Sequence, residues 1–350
     1  MEHSFRKLLG VSLLILGELA FAGGAKKPKV EAFLPINEAN YKKRIIAIDD
    51  FVAKQIFQNT ADGENIENQM FRQYLDLLIQ SGRYSIRFRD DKGQGTLARL
   101  ANGDLAVKRD AKRALVAENL KCDFYDEQFL FKGYVTSFEL ESSKGFKAGL
   151  SPTLGLVGIG AGFGFTAKKA KMTVNMQAAD GYKERILASA ESDAQQSERS
   201  FNFNLSYQQL ASIGYDSYSK TPLSDVSKAA LVSGINRLSK QLEPMAWQGR
   251  VLSTDGKEIV LLNAGVDVGL KEGDEVDVMH FAPQEDPKCR KMPIGTKYGK
   301  PGMPLGRFRI YQTEQTFSWA ELVQRQSTAP LLSGSKVRIS KAVVVPPSEE

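Results

Sequence analysis

Two stretches limit what this chain can become, because each alternates apolar with small or polar side chains over the length of a membrane-crossing strand. In the first, Val157, Ile159, Ala161, Phe163 and Phe165 interleave with Gly158, Gly160, Gly162 and Gly164. In the second, Phe201, Phe203, Leu205 and Tyr207 interleave with Asn202, Asn204, Ser206 and Gln208, and Ala211, Ile213 and Tyr215 continue the odd series. Successive side chains of a strand point to opposite faces, so each stretch has one apolar face and one small or wet face. A strand that crosses a bilayer needs about 9–11 residues of this kind, with lipid on one side and a watery lumen on the other. A half-buried strand of a soluble sheet alternates in the same way. The glycines of the first stretch argue against that, since each one weakens a strand and buries no side chain.

The beginning of the chain reads as an export signal over residues 1–22. Arg6 and Lys7 precede the apolar run Leu8 to Leu16, and Ala20-Phe21-Ala22 offers small residues for cleavage before Gly23. That run is too short for a spanning helix, and no other stretch approaches the roughly 20 apolar residues such a helix needs. No cysteine stands at the cleavage point to accept a lipid. Cys122 and Cys289 are the whole cysteine complement, far apart, and one pair in an exported chain of this size is no disulfide framework. The 47 Lys and Arg against 41 Asp and Glu leave a net +6 spread along the chain, which a solvated surface explains better than a nucleic-acid groove.

The lead, residues 23–41, is basic and contains proline. Arg44 to Phe51 then reads as a buried strand, and Ile66, Met70, Tyr74, Leu77 and Leu78 fall at helical spacing before a Ser81-Gly82 stop. A short strand is predicted over Tyr84 to Phe88, a helix near Asp110 to Leu120, and a strand over Phe129 to Leu140. Ala170 to Ala178 and Lys183 to Ser192 form a hairpin around Ala179-Asp180-Gly181. Thr221-Pro222 opens a helix as N-cap and first turn, with Leu223, Val226, Leu231, Ile235, Leu238 and Leu242 on its apolar side until Pro244. From Trp247 the helical period disappears and short strands alternate with turn residues, as in a separate small all-β domain over 246–340. Residues 341–350 are a tail, and the long loop Pro283 to Pro304 is basic and rich in Pro and Gly.

No catalytic constellation stands out, so the chain is expected not to be an enzyme and to carry no cofactor. A dinucleotide fingerprint starting at Gly158 would need glycine at position 163, which is Phe, and no phosphate loop follows. His280 has no Cys or His nearby to complete a metal set, and it reads as a polar strand residue. Asp49-Asp50 reads as solvated or helix-capping.

The order of these pieces resembles the CsgG family, the outer-membrane secretion channels of the curli system. The residues that carry it are the strand Arg44 to Phe51, the strand Lys132 to Phe138, the Gly-rich insertion, the hairpin Met172 to Ser189, and Phe201-Asn202-Phe203 through Gly214-Tyr215 followed by Pro222 and a helix. Similarity covers about residues 42 to 243 and lies in element order. The resemblance implies a periplasmic α/β body over 42–245, two membrane hairpins at about 137–166 and 188–218, and a homo-oligomeric ring whose barrel the subunits share. It also implies a constriction loop after the first strand, where Phe57 and Asn59 are the weak candidates. Curli-type members are lipoproteins, whereas this chain lacks the lipid-accepting cysteine. Residues 247 to 340 resemble the C-terminal β domain of the flagellar basal-body protein FlgT, in Asn263-Ala264-Gly265 and Gly269 to Asp274.

The expected fold class is therefore α+β, with two amphipathic hairpins contributing to an oligomeric membrane barrel. Val157, Ile159, Phe163, Phe165, Phe201, Phe203, Leu205 and Tyr207 are expected to face lipid, and Gly158, Gly160, Gly162, Gly164, Asn202, Asn204, Ser206 and Gln208 the lumen. Two hairpins supply four strands, fewer than the roughly eight that close even a small barrel, so insertion implies neighbouring copies. The expected function is passive export of curli-like or other matrix protein through an outer-membrane ring, with lipid, cargo and accessory periplasmic proteins as partners and no nucleic acid. The competing expectation is a soluble periplasmic assembly factor of the flagellar ring or cell wall.

Overall fold

A computed structural model describes residues 28–36, 41–53, 63–87, 127–142, 147–151, 155–156, 167–180, 185–197, 218, 221–280 and 302–341. Outside the described residues lie the export signal, the helix read near 110–120, Cys122 and Cys289, most of the loop Pro283 to Pro304, and the tail beyond 341.

β1 (Arg44–Val52) and β2 (Tyr84–Arg87) run parallel and are joined through α1 (Gly63–Gln80). Gly82 ends that connection with φ 66°, a left-handed conformation that glycine adopts without a Cβ penalty. β3 (Phe129–Ser142) lies parallel to β1 on its other side, and along its far half it is paired by β4 (Lys147–Ser151), which is followed by β5 (Gly155–Leu156). The described part of the interval 137–166 therefore folds back twice beside the end of β3. β6 (Ala167–Asp180) runs antiparallel along the whole of β3, and β7 (Ile186–Ser197) antiparallel to β6. Together these strands make one seven-stranded sheet.

One face of that sheet is covered by α1 and by α2 (Pro222–Leu242), which share a single apolar core with it. α2 starts where the sequence places it, with Thr221 Oγ1 accepting the N–H of Ser224 at 3.2 Å and Pro222 in the first turn. Its polar side is not a wet side. Ser224, Ser227, Asn236 and Ser239 are all buried, and partners reach them from three directions. Gln73 of α1 donates to Ser224 Oγ at 2.7 Å and accepts from Ser227, and Tyr84 exchanges a hydrogen bond with Ser239 at 2.7 Å. Asn236 donates to Ala32 O at 2.9 Å and accepts from Leu34 N at 3.1 Å, so the lead lies against α2 as an extended strap. A buried polar group costs little only when paired, and these are.

β8 (Gly249–Thr254), β9 (Ile259–Leu262), β10 (Glu275–Met279), β11 (Pro304–Thr313), β12 (Ser318–Arg325) and β13 (Lys336–Lys341) close a barrel in the order β10-β11-β12-β9-β8-β13. Val260, Leu262, Val276, Val278, Phe308, Ile310 and Val337 belong to its core. The architecture is thus mixed α+β, as expected from the sequence. Turn glycines work as the sequence suggested: Gly256, Gly269 and Gly273 have φ 76°, 86° and 88°.

Gly265 has a different role. A Cβ there would stand 2.1 Å from the Glu314 carbonyl oxygen and 2.7 Å from Phe317 N, both backbone atoms that cannot step aside. Gly265→Ala is therefore expected to destabilise the barrel by at least about 1–3 kcal/mol, the cost of forced overpacking. Gly256→Ala, where a Cβ meets open space, pays only the left-handed backbone cost of about 1–2 kcal/mol. Denaturant midpoints of the two variants check the order.

Candidate functional site

The two alternating stretches abut the long strands of the sheet: residues 157–165 lead into β6, and residues 201–207 follow β7. β6 and β7 pair without a register shift from Lys169↔Ser197 to Ala178↔Ala188. On β6 the even residues Ala170, Met172, Val174, Met176 and Ala178 are buried at 3% exposure or less, beneath α2. On β7 the even residues Ala188, Ala190 and Ser192 are likewise buried, and Ser192 Oγ donates to Ala230 O of α2 at 2.8 Å. The odd residues Ser189, Glu191, Asp193 and Gln195 are exposed on the opposite face. α2 sits close: a Cβ on Gly234 would come 2.9 Å from both Met176 Sδ and Ser192 Oγ.

β7 is an edge strand among the described residues, and α2 covers part of that edge with side chains. Gln241 accepts the Ser189 N–H at 3.2 Å and donates to the Ser189 carbonyl at 2.8 Å, so one side-chain amide stands in for a strand residue. Arg237 donates to the Glu191 carbonyl at 2.8 Å. A bare edge is a template for pairing with other chains, and these contacts blunt it.

At the other end of the sheet, the start of β1 is stitched to the barrel. Ile45 belongs to the barrel core and Ile46 to the sheet–helix core, so consecutive side chains of one strand serve two interiors. Lys42 Nζ pairs with Asp274 Oδ2 at 2.7 Å, with side chains 6% and 0% exposed, and also donates to Gly269 O. Asp274 accepts the Lys271 N–H at 3.0 Å as well. Arg87 and Ser85 of β2 both reach Asp267 Oδ2 at 2.6 Å. Trp247 Nε1 donates to Lys43 O at 3.1 Å. Arg44 donates to the carbonyls of Leu242, Glu243 and Met245 at 3.0, 3.1 and 2.8 Å, placing a buried cation at the negative end of α2.

Every residue singled out in advance as facing lipid or lumen lies outside the described residues, as do Phe57 and Asn59 between β1 and α1. Asp49 is half-exposed and pairs with Lys132 at 2.7 Å. His280, read as a polar strand residue, lies one position past the end of β10 and is buried, its backbone N–H donating to Met303 O at 2.7 Å. No cluster of metal-ligating side chains occurs among the described residues. Sequence reading missed Asp274, taken as turn punctuation after Gly273, and the Arg237/Gln241 pair. Its four-residue spacing, which sets two side chains on one helix face, was the available signal.

No protein-family model matches the chain, and no curated protein matches it. Among solved structures, a point variant of the PelC dodecamer from Paraburkholderia phytofirmans matches at 11% identity and TM-score 0.25, over 61% of this chain and 96% of that one. The hypothetical protein CT253 from Chlamydia trachomatis matches at 11% identity and TM-score 0.30, over 57% of this chain and 98% of that one. Likeness of this order fixes neither the fold nor the function of the chain.

Removing one member of a buried ion pair leaves the other charge uncompensated, so Lys42→Met is expected to cost about 3–5 kcal/mol. Lys42→Met with Asp274→Leu should recover much of that, and chemical denaturation of both variants measures it. Burial raises the Tyr84 hydroxyl from the ordinary 10.0 to about 12, against the opposing hydrogen bond to Ser239. The folded chain thus holds a proton that the unfolded chain has lost above pH 10.0, so stability is full below that value and falls as pH rises towards about 12. Tyr84→Phe should flatten that decline in denaturation midpoints taken at stepped alkaline pH.

Proposed function

We propose that the chain is a subunit of an outer-membrane secretion channel, with its body in the periplasm and its two alternating stretches completing a barrel only among copies of itself. One observation carries this reading: both stretches are apolar at odd positions and small or polar at even ones, and each adjoins a strand of one regular antiparallel ribbon, β6–β7. A ring follows from backbone chemistry. Each unpaired N–H or C=O in hydrocarbon costs several kcal/mol, so a lone subunit with open edges would not stay inserted. Transport is passive in this reading, and the cargo is a matrix protein of the curli-like kind. The chain performs no catalysis.

The rival reading, a soluble periplasmic assembly factor, draws support from the barrel, which is fixed to the body by a buried joint rather than tethered to it. A rigid appended barrel suits a partner-binding role.

Phe203→Arg places a charge on the lipid side and is expected to cost about 2–4 kcal/mol of insertion near the bilayer midplane. Asn204→Arg, on the lumen side, should change conductance and leave insertion intact. Carbonate extraction of envelopes and imaging of detergent-purified particles check both. A carbonate-soluble monomer without a central hole would remove the channel reading and leave the rival.

A further inference from the structure

Resting on the channel reading, we infer that the six-stranded barrel stands at the end of the body farthest from the bilayer. In a ring the barrels then form a second tier, about 40 Å beneath the membrane, which cargo entering from the periplasm passes first.

The length of β3 sets this distance, because the joint to the barrel and the alternating stretches belong to opposite ends of it. The contacts that hold the barrel gather where β1 and β3 begin. Lys42 pairs with Asp274, Ile45 enters the barrel core, and Trp247 Nε1 reaches Lys43 O. Gln128, the residue before β3, donates to Ala246 O at 2.8 Å and accepts from Gln248 N at 3.3 Å, on the way into β8. Arg87, which binds Asp267, lies farthest along the strands among these contacts, in the cross-strand row Arg87, Ala47 and Leu130. Two residues further along β3, Lys132 is already 35% exposed.

The alternating stretches adjoin the other end. Ser142, the last residue of β3, pairs with Ala167, which follows Phe165 after one intervening residue. Lys169 pairs with Ser197, which precedes Phe201 after three intervening residues. At about 3.3 Å per residue, the run from Leu130 to Ser142 spans roughly 40 Å. That exceeds the ~30 Å hydrocarbon core of a bilayer. The joint holds the distance fixed, since Lys42 and Asp274 are buried together and Ile45 lies inside the barrel core. A barrel held in this way has no tether on which to swing back to the headgroups.

Within the barrel, the rim opposite the joint is defined by strand direction. Asp274 precedes β10 at the joint, and β10 ends at Met279, opposite Pro304. Met303 at that end is 53% exposed. Arg325, opposite Gly306, donates to Lys257 O at 3.2 Å, so the turn between β8 and β9 shares the same rim. Gly256, Lys257 and Glu258 are exposed there.

A short peptide epitope inserted at Gly256, where a side chain meets open space, marks this rim. The full-length protein is reconstituted in lipid vesicles, decorated with an antibody fragment against the epitope, and imaged in side view beside the untagged protein. The fragment is expected at least about 40 Å from the headgroups, and untagged rings should show a layer of barrels at that depth. Fragment density beside the headgroups, or an untagged ring with no layer at that depth, overturns the inference while the pore remains. If the untagged chain neither inserts nor shows a central hole, the channel reading fails and the inference falls with it.

Discussion

The start of β1 is the point on which the two halves of the molecule depend. Ile45 and Ile46 point to opposite sides of the strand, and each is buried in a different core, so neither interior closes without this one short segment. The charges around it reinforce the same constraint. Lys42 is neutralised by Asp274 from the barrel, and Arg44 by the carbonyl end of α2, which brings helix, sheet and barrel to within a few residues of one another. Buried ion pairs are weak evidence for added stability, because desolvation offsets much of their attraction. Their stronger effect is on specificity: a barrel docked in another orientation would separate Asp274 from its cation, leaving it only partners such as the Lys271 N–H.

Much of the body was legible in the sequence wherever one local rule decided the matter. Thr221-Pro222 announced α2, Ser81-Gly82 ended α1, and the alternation of Met172, Val174 and Met176 with polar neighbours marked β6. What stayed hidden was set by long-range partners. Helical period marked only the apolar side of α2, whereas Gln73, Tyr84 and Ser192 come from distant segments to enclose that helix. Asp274 looked like a turn residue because its partner lies 232 positions away. Closure of the barrel was equally out of reach, since short strands and turn residues fit open and closed sheets alike. Of the candidate site, the sequence displayed the alternation itself.

Helix and ribbon are matched more closely than apolar packing alone requires. Glycine at 234 lets α2 lie against Met176 and Ser192, and the small residues Ala188, Ala190 and Ser192 answer it from the strand. Such close contact fixes the helix over the ribbon with little freedom to slide, since interiors this dense transmit strain instead of absorbing it. Any displacement of β6 or β7 would be felt at α2, and through Gln73 at α1.

Arg237 and Gln241 have a consequence for association as well as for folding. An unfolded polypeptide passing close to β7 meets main-chain groups at Ser189 and Glu191 that are already spoken for, so it gains no ladder of hydrogen bonds by lingering there. Two side chains on one turn of helix thus keep the part of the border they reach from recruiting a foreign strand.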